Sequence, residues 1–183
     1  MRLTSSTRPL LALCAFLAAS CDRPAEAIPA AHTKATSNLP VLTERLVDNA
    51  ALLDASTEVA LTAKLAALEA ATSDQLVVVT VPSLGSETIE ALGLRLGNGW
   101  GIGQKEKNNG VLLIVAPAER KVRIEVGTGL EPVLTNSASA EIIDQVILPH
   151  FRRGNLEEGV VAGTEAIIDK LRATPQRPGR KSL

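Results

Sequence analysis

The chain alternates between stretches whose apolar residues recur every three or four positions and stretches that are apolar almost without interruption. Leu61, Leu65 and Leu68 follow Asp54 and Ser56, either of which can cap a helix start, and this predicts a first helix. Gln75-Leu-Val-Val-Val-Thr-Val81 is a nearly unbroken apolar run ended by Pro82, the pattern of a central strand covered on both faces. Ser86 can cap a second helix with Ile89, Leu92 and Leu96 on one stripe. Asn109-Gly110 is a turn signal that opens a second buried strand at 111–115, and Pro117-Ala118-Glu119-Arg120 makes the next turn. In Lys121-Val-Arg-Ile-Glu-Val126, Val122, Ile124 and Val126 alternate with Lys121, Arg123 and Glu125, which predicts a hairpin partner near a sheet edge with one wetter face. A helix over about 137–148, stopped by Pro149, comes next. The last helix begins at Asn155, with Glu158 at capping-box spacing, and carries Val160, Ile167, Ile168 and Leu171.

The resulting order is α-β-α-β-β-α-α. Two long strands joined through a helix should be parallel with a right-handed crossover, and the next pair antiparallel. Helices then cover both faces, so the expected fold is α/β: a three-layer α/β/α sandwich around a small mixed β-sheet. The chain of 183 residues has room for one such domain, placed at 41–173, with short tails. Apolar residues make up 45% and there is no Tyr, one Trp and two Phe, so the core must be built from Leu, Val, Ile and Ala. A net charge of −1 provides no basic field for nucleic acid, and the scarcity of aromatics leaves no stacking platform for single strands.

The N-terminus points to export. Arg2 and Arg8 precede the apolar run Pro9-Leu-Leu-Ala-Leu-Cys-Ala-Phe-Leu-Ala-Ala19, which reads as a secretory signal over 1–20. That run is about half the ~20 residues of a spanning helix. Ala18-Ala19-Ser20-Cys21 resembles a bacterial lipobox, with Ala18 where Leu is usual. The resemblance implies that Cys21 is diacylated and becomes the first mature residue; the alternative is a simple cleaved signal and secretion to the periplasm. Asp22 resembles an inner-membrane retention signal. The expected location is therefore the cell envelope, lipid-anchored through Cys21 and facing the periplasm, with the inner membrane favoured. Residues 21–40, which include His32, read as a flexible tether, and 174–183 as a disordered basic tail. With Cys14 removed and Cys21 lipidated, the mature domain has neither a disulfide nor a Cys nucleophile.

Three turns could carry chemistry: Val47-Asp48-Asn49, the glycine-rich stretch from Asn98 to Gly110, and Glu125-Val-Gly-Thr-Gly-Leu-Glu131. Two readings stand. In one, the glycines only make tight turns and the acids are solvated. In the other, Asp48, Glu125 and Glu131, with the carbonyls of Asn108 and Asn109, supply hard oxygen ligands for Ca²⁺ or Mg²⁺. Gly127-Thr128-Gly129 lacks the third glycine of a dinucleotide fingerprint and the lysine of a P-loop. Trp100 either packs on the core or lines a cleft, and His150, the one histidine of the domain, sits at a helix exit. A serine nucleophile elbow is missing. Phosphate hydrolysis would need a metal-bound water, with Arg123 or Arg120 neutralising phosphate charge.

These segments also carry a family resemblance. Val47-Asp48 with Leu52-Leu53, the run 75–81, Trp100-Gly101-Ile102-Gly103, Asn108-Asn109-Gly110-Val111-Leu112-Leu113 and Arg123-Ile-Glu-Val-Gly-Thr-Gly-Leu-Glu131 together resemble the TPM domain across nearly all of 41–173. The resemblance implies an α/β/α sandwich and makes Asp48, Glu125 and Glu131 stronger metal candidates. The family includes exported or membrane-attached bacterial proteins, some binding Ca²⁺, and a plant member linked to photosystem repair and described as an acid phosphatase. Asn136 stands where the family often has Asp. Two functions follow as expectations: a lipid-anchored metal-binding module that assists assembly, repair or turnover of envelope membrane proteins, or a metal-dependent acid phosphatase.

Overall fold

The computed structural model describes residue 42 and residues 44–173. The expected signal sequence, Cys21, the tether with His32 and the basic tail all lie outside the described residues.

Its elements are β1 (Leu46–Asp48), α1 (Ala55–Thr72), β2 (Gln75–Thr80), α2 (Ile89–Trp100), β3 (Gly110–Ala116), β4 (Lys121–Val126), α3 (Asn136–Glu141), a wide π-helical segment (Ile142–Ile147), α4 (Leu148–Arg152) and α5 (Leu156–Arg172). The sheet order is β1-β2-β3-β4; the first three strands are parallel and β4 runs antiparallel to β3. Each long strand sends alternate residues into two cores. Leu76, Val78, Val111, Leu113 and Ile124 meet Leu61, Leu65 and Leu68 of α1 and Ile167, Ile168 and Leu171 of α5. Val77, Val79, Leu112 and Ile114 meet Ile89, Leu92 and Leu96 of α2. This is the expected three-layer sandwich around a mixed sheet, with α2 alone covering one face among the described residues.

The helix in each parallel crossover lies on a different face, although β1→β2 and β2→β3 step the same way across the sheet. The two crossovers therefore have opposite hands. Val78 donates its N–H to Arg45 O at 2.9 Å, towards β1, while its side chain enters the α1 layer. For L-residues this makes β2–α2–β3 the right-handed crossover, as expected, and β1–α1–β2 the left-handed one.

Several local expectations need correction. Val47-Asp48 is not a turn but part of β1, paired in register with Val79 and Thr80. At three residues, the strand is too short to show a periodicity. Thr88, not Ser86, caps α2: its Oγ1 accepts from Ala91 N at 3.2 Å, while Ser86 lies in the preceding turn. Pro149 does not stop the third helical stretch. The chain widens into the π segment, where Leu148 N bonds Ile143 O, and the helical path runs on through Pro149 as the second residue of α4. Asn155 does precede α5, but its side chain makes no capping bond, so the capping box is not formed. Asp54 caps α1 as expected, accepting from Thr57 N at 2.7 Å.

Candidate functional site

The residues expected to converge on one metal are distributed over the sheet. Asp48 ends β1, where its Oδ2 accepts from Leu53 N at 2.9 Å and its Oδ1 accepts from the Thr80 hydroxyl. Thr80 Oγ1 in turn accepts from Ala50 N at 2.9 Å. Asp48 thus folds the β1–α1 connection. Glu125 lies on β4, at the other edge of the sheet. Three strand spacings of about 4.8 Å put roughly 14 Å between the two edges, too far for one ion.

Asn109 is 2% exposed and holds three segments together. Its Oδ1 accepts from Gln104 N at 2.8 Å, and its Nδ2 donates to Ser73 O at 2.6 Å and to Asp74 Oδ1 at 3.3 Å. Its carbonyl, one of the expected metal ligands, accepts from Gln75 N at 2.9 Å. The Asn108 carbonyl accepts from Gly129 N at 3.1 Å. Gly127 and Gly129 are needed because their own chain, not a ligand, passes over them.

Glu125 and Glu131 do come together. They line a pocket of about 460 Å³ beside β4, with Glu90, Arg123, Asn136 and Ser139. Glu125 accepts from Arg123 Nε, and the Arg123 guanidinium stands 3.8 Å from Glu90 Oε1. The Glu125 carboxylate lies flat on α2 at Gly93, where a Cβ would sit 2.6 Å from Oε1. The Glu90 carboxyl is held below its ordinary range, first by the hydrogen bond from its own backbone amide, then by the Thr88 hydroxyl and the charges of Arg123 and Lys121; the burial cost acts the other way. Ser139 is 7% exposed and its hydroxyl has no hydrogen-bond partner.

Arg120 does not join Arg123. It turns the β3–β4 hairpin at φ 53° and lines a separate pocket of about 670 Å³ with Leu148, Phe151 and Arg152. Trp100 packs against the α2-side core. His150 lies in α4 with a buried, unpartnered Nδ1. Among the described residues, no three His, Cys, Asp or Glu side chains stand close enough to hold a metal by themselves. Sequence reasoning missed Glu90 and Ser139. Each reaches the pocket only because α2 and α3 flank β4, and nothing local in the chain encodes that placement.

The TPM domain family model matches residues 46–170. The N-terminal domain of a protein from P. gingivalis is 36% identical, over 70% of this chain and 82% of that one, with a TM-score of 0.66. The BA42 protein of the psychrophilic bacterium Bizionia argentinensis is 21% identical, over 70% and 88%, with a TM-score of 0.59. The N-terminal domain of cg2496 from Corynebacterium glutamicum is 15% identical, over 76% and 89%, with a TM-score of 0.57. These last two share the fold. No curated protein matches the chain.

Proposed function

The chain belongs to the TPM domain family, and on that premise we propose that it is an exported, lipid-anchored binding module. It is held on an envelope membrane through Cys21 and assists assembly, repair or turnover of membrane proteins there. A hard divalent cation, Ca²⁺ or Mg²⁺, is its small ligand. One observation supports this reading: the pocket beside β4 combines the Glu125 and Glu131 carboxylates with the Asn136 amide.

That donor set fits Ca²⁺, which accepts mixed oxygen ligands and water, better than a metal that needs several tightly converged carboxylates. With only two carboxylates from the expected set, affinity should fall in the weak range of extracellular modules, about 10⁻⁴–10⁻³ M. Asp48, Asn108 and Asn109 are not part of this donor set: Asp48 stands on the opposite edge of the sheet, and the Asn108 and Asn109 carbonyls close backbone hydrogen bonds with Gly129 and Gln75 outside this pocket. Binding is favoured over phosphate hydrolysis because Arg123 is already engaged by Glu125 and Glu90 and stands apart from Arg120. No helix among the described residues is long and apolar enough to cross a membrane.

Calorimetric titration with Ca²⁺ tests the site. Saturable binding is expected, lost in Glu125→Gln and Glu131→Gln and retained in Asp48→Asn. The absence of binding at millimolar Ca²⁺ would remove the cation from the proposal. Metal-dependent turnover of a phosphate monoester, abolished by Glu131→Gln, would establish the phosphatase instead. Metabolic labelling with a fatty-acid analogue, compared with Cys21→Ser, tests the anchor.

A further inference from the structure

The cavity of about 670 Å³ that Arg120 lines lies between the β3–β4 hairpin and the turn from α4 to α5. Its lining divides by chemistry. Pro117, Leu148, Phe151 and Leu156 are apolar, Arg120 and Arg152 are cationic, and Gly154 adds backbone alone. Among the described residues, no carboxylate, hydroxyl or amide side chain borders it. Both arginines are exposed, and neither guanidinium has a hydrogen-bond or ion-pair partner among the described residues.

The neighbouring acids leave these guanidiniums unengaged. Glu119, next to Arg120 in the chain, is held elsewhere: its Oε1 accepts from Ser83 Oγ at 2.6 Å and from Leu84 N at 3.0 Å, beside the α2-side core. Glu157 and Glu158 follow Leu156 in the first turn of α5, but neither lines the cavity and neither pairs with an arginine. Arg153, exposed beside Arg152, adds a further cation. Small-molecule sites are mostly apolar, with a few placed polar groups, and span about 300–1,000 Å³. What fills this one must supply an anion for two guanidiniums and apolar surface for the four side chains beside them.

We propose that this cavity binds a phosphate ester with an apolar substituent, the phosphate between Arg120 and Arg152 and the substituent against Phe151 and its apolar neighbours. One guanidinium fork already fills both oxygens of a carboxylate, whereas the four oxygens of a phosphate ester leave room for a second fork. The site binds and does not cleave, because no carboxylate or histidine among the described residues borders it to activate water. The head group of an anionic phospholipid and a soluble phosphate monoester share this chemistry. The cavity is separate from the pocket beside β4 and depends on neither the cation nor the lipid on Cys21.

The test is calorimetric titration of the full chain, in EDTA, with hexyl phosphate. Saturable binding is expected, at least about tenfold tighter than inorganic phosphate, which lacks the apolar chain, and than hexanoate, which lacks the phosphate. Arg120→Gln combined with Arg152→Gln should weaken hexyl phosphate at least about tenfold. Lys105→Gln combined with Arg172→Gln removes the same charge from exposed positions elsewhere and should leave the affinity within about twofold. Dihexanoylphosphatidylglycerol, titrated below its micelle concentration, separates the two sources: tighter binding than hexyl phosphate assigns a lipid head group, and weaker binding a soluble monoester. No saturable binding of hexyl phosphate, equal binding of inorganic phosphate or hexanoate, or an equal loss in both double variants overturns the proposal. Because EDTA removes divalent ions, failure here and failure of the Ca²⁺ titration are separate results.

Discussion

Gly127 lies so close to the carbonyl oxygen of Asn108 that a Cβ on it would sit 2.2 Å away. Gly129 is tighter still, with Lys107 O at 1.9 Å from the same construction. The second and third glycine-containing turns of the sequence are therefore one packed unit, and the atoms that obstruct a side chain are backbone. Gly127→Ala and Gly129→Ala should each destabilise the domain by about 1–3 kcal/mol, the range for forced overpacking, as read by chemical denaturation. A neutral result at Gly129 would mean that this loop pair is not closed in solution.

Asp48 gives a prediction that separates structure from ligand binding. Asp48→Ala removes the acceptor for Leu53 N and for the Thr80 hydroxyl. Stability should drop by about 1–3 kcal/mol, while the Ca²⁺ isotherm of the folded protein stays unchanged. Loss of Ca²⁺ binding with intact stability would return Asp48 to the metal site.

Gly93→Ala should act in the opposite sense. In α2 the substitution gains up to about 1 kcal/mol of helix propensity, but its Cβ meets the Glu125 side chain, with Oε1 at 2.6 Å and Cγ at 2.7 Å. Glu125 can swing away because it is the flexible partner. Stability should therefore stay within about 1 kcal/mol of the parent, and Ca²⁺ affinity should fall because the carboxylate has moved.

Acid should weaken the fold partly through Glu87. Its carboxyl is held below the ordinary value of 4.5, first by the hydrogen bond from Arg95, while burial works against this. A depressed folded-state pKa adds stability above the unfolded value and loses it as pH falls through the folded one. Denaturation midpoints should therefore decline below pH 4.5, and Glu87→Gln should flatten that decline in a pH series. An identical slope in the variant would show that the pair contributes nothing in solution.

The features legible in the sequence were those that local burial writes into it. The Leu61-Leu65-Leu68 stripe, the run ending at Val81 and the alternation from Lys121 to Val126 each record a face that meets a core, and each became the expected element. The three residues of β1 are specified by partners more than thirty positions away, Val78 to Thr80, and carry no period of their own. Pro149 misled because a π segment lets the helical path change register just before it. The candidate site was half legible. Glu125 and Glu131 sit six positions apart around one turn and share a pocket. Asp48 looked equivalent as a residue type, but strand order alone puts it on the opposite edge.

The unequal covering of the sheet gives the domain a directional weakness. One face is held by α1, α5 and the α3–α4 stretch, whereas the other, among the described residues, depends on the twelve residues of α2. Release of that one helix bares Val77, Val79, Leu112 and Ile114 at a stroke and leaves the opposite core assembled. Amide exchange in α2 should therefore run ahead of exchange in α1 and α5, and equal protection of the three helices would show that the two cores open together. Release of α2 also withdraws Glu90 from the pocket beside β4, so the mobility of one helix and the shape of that pocket cannot be tuned separately.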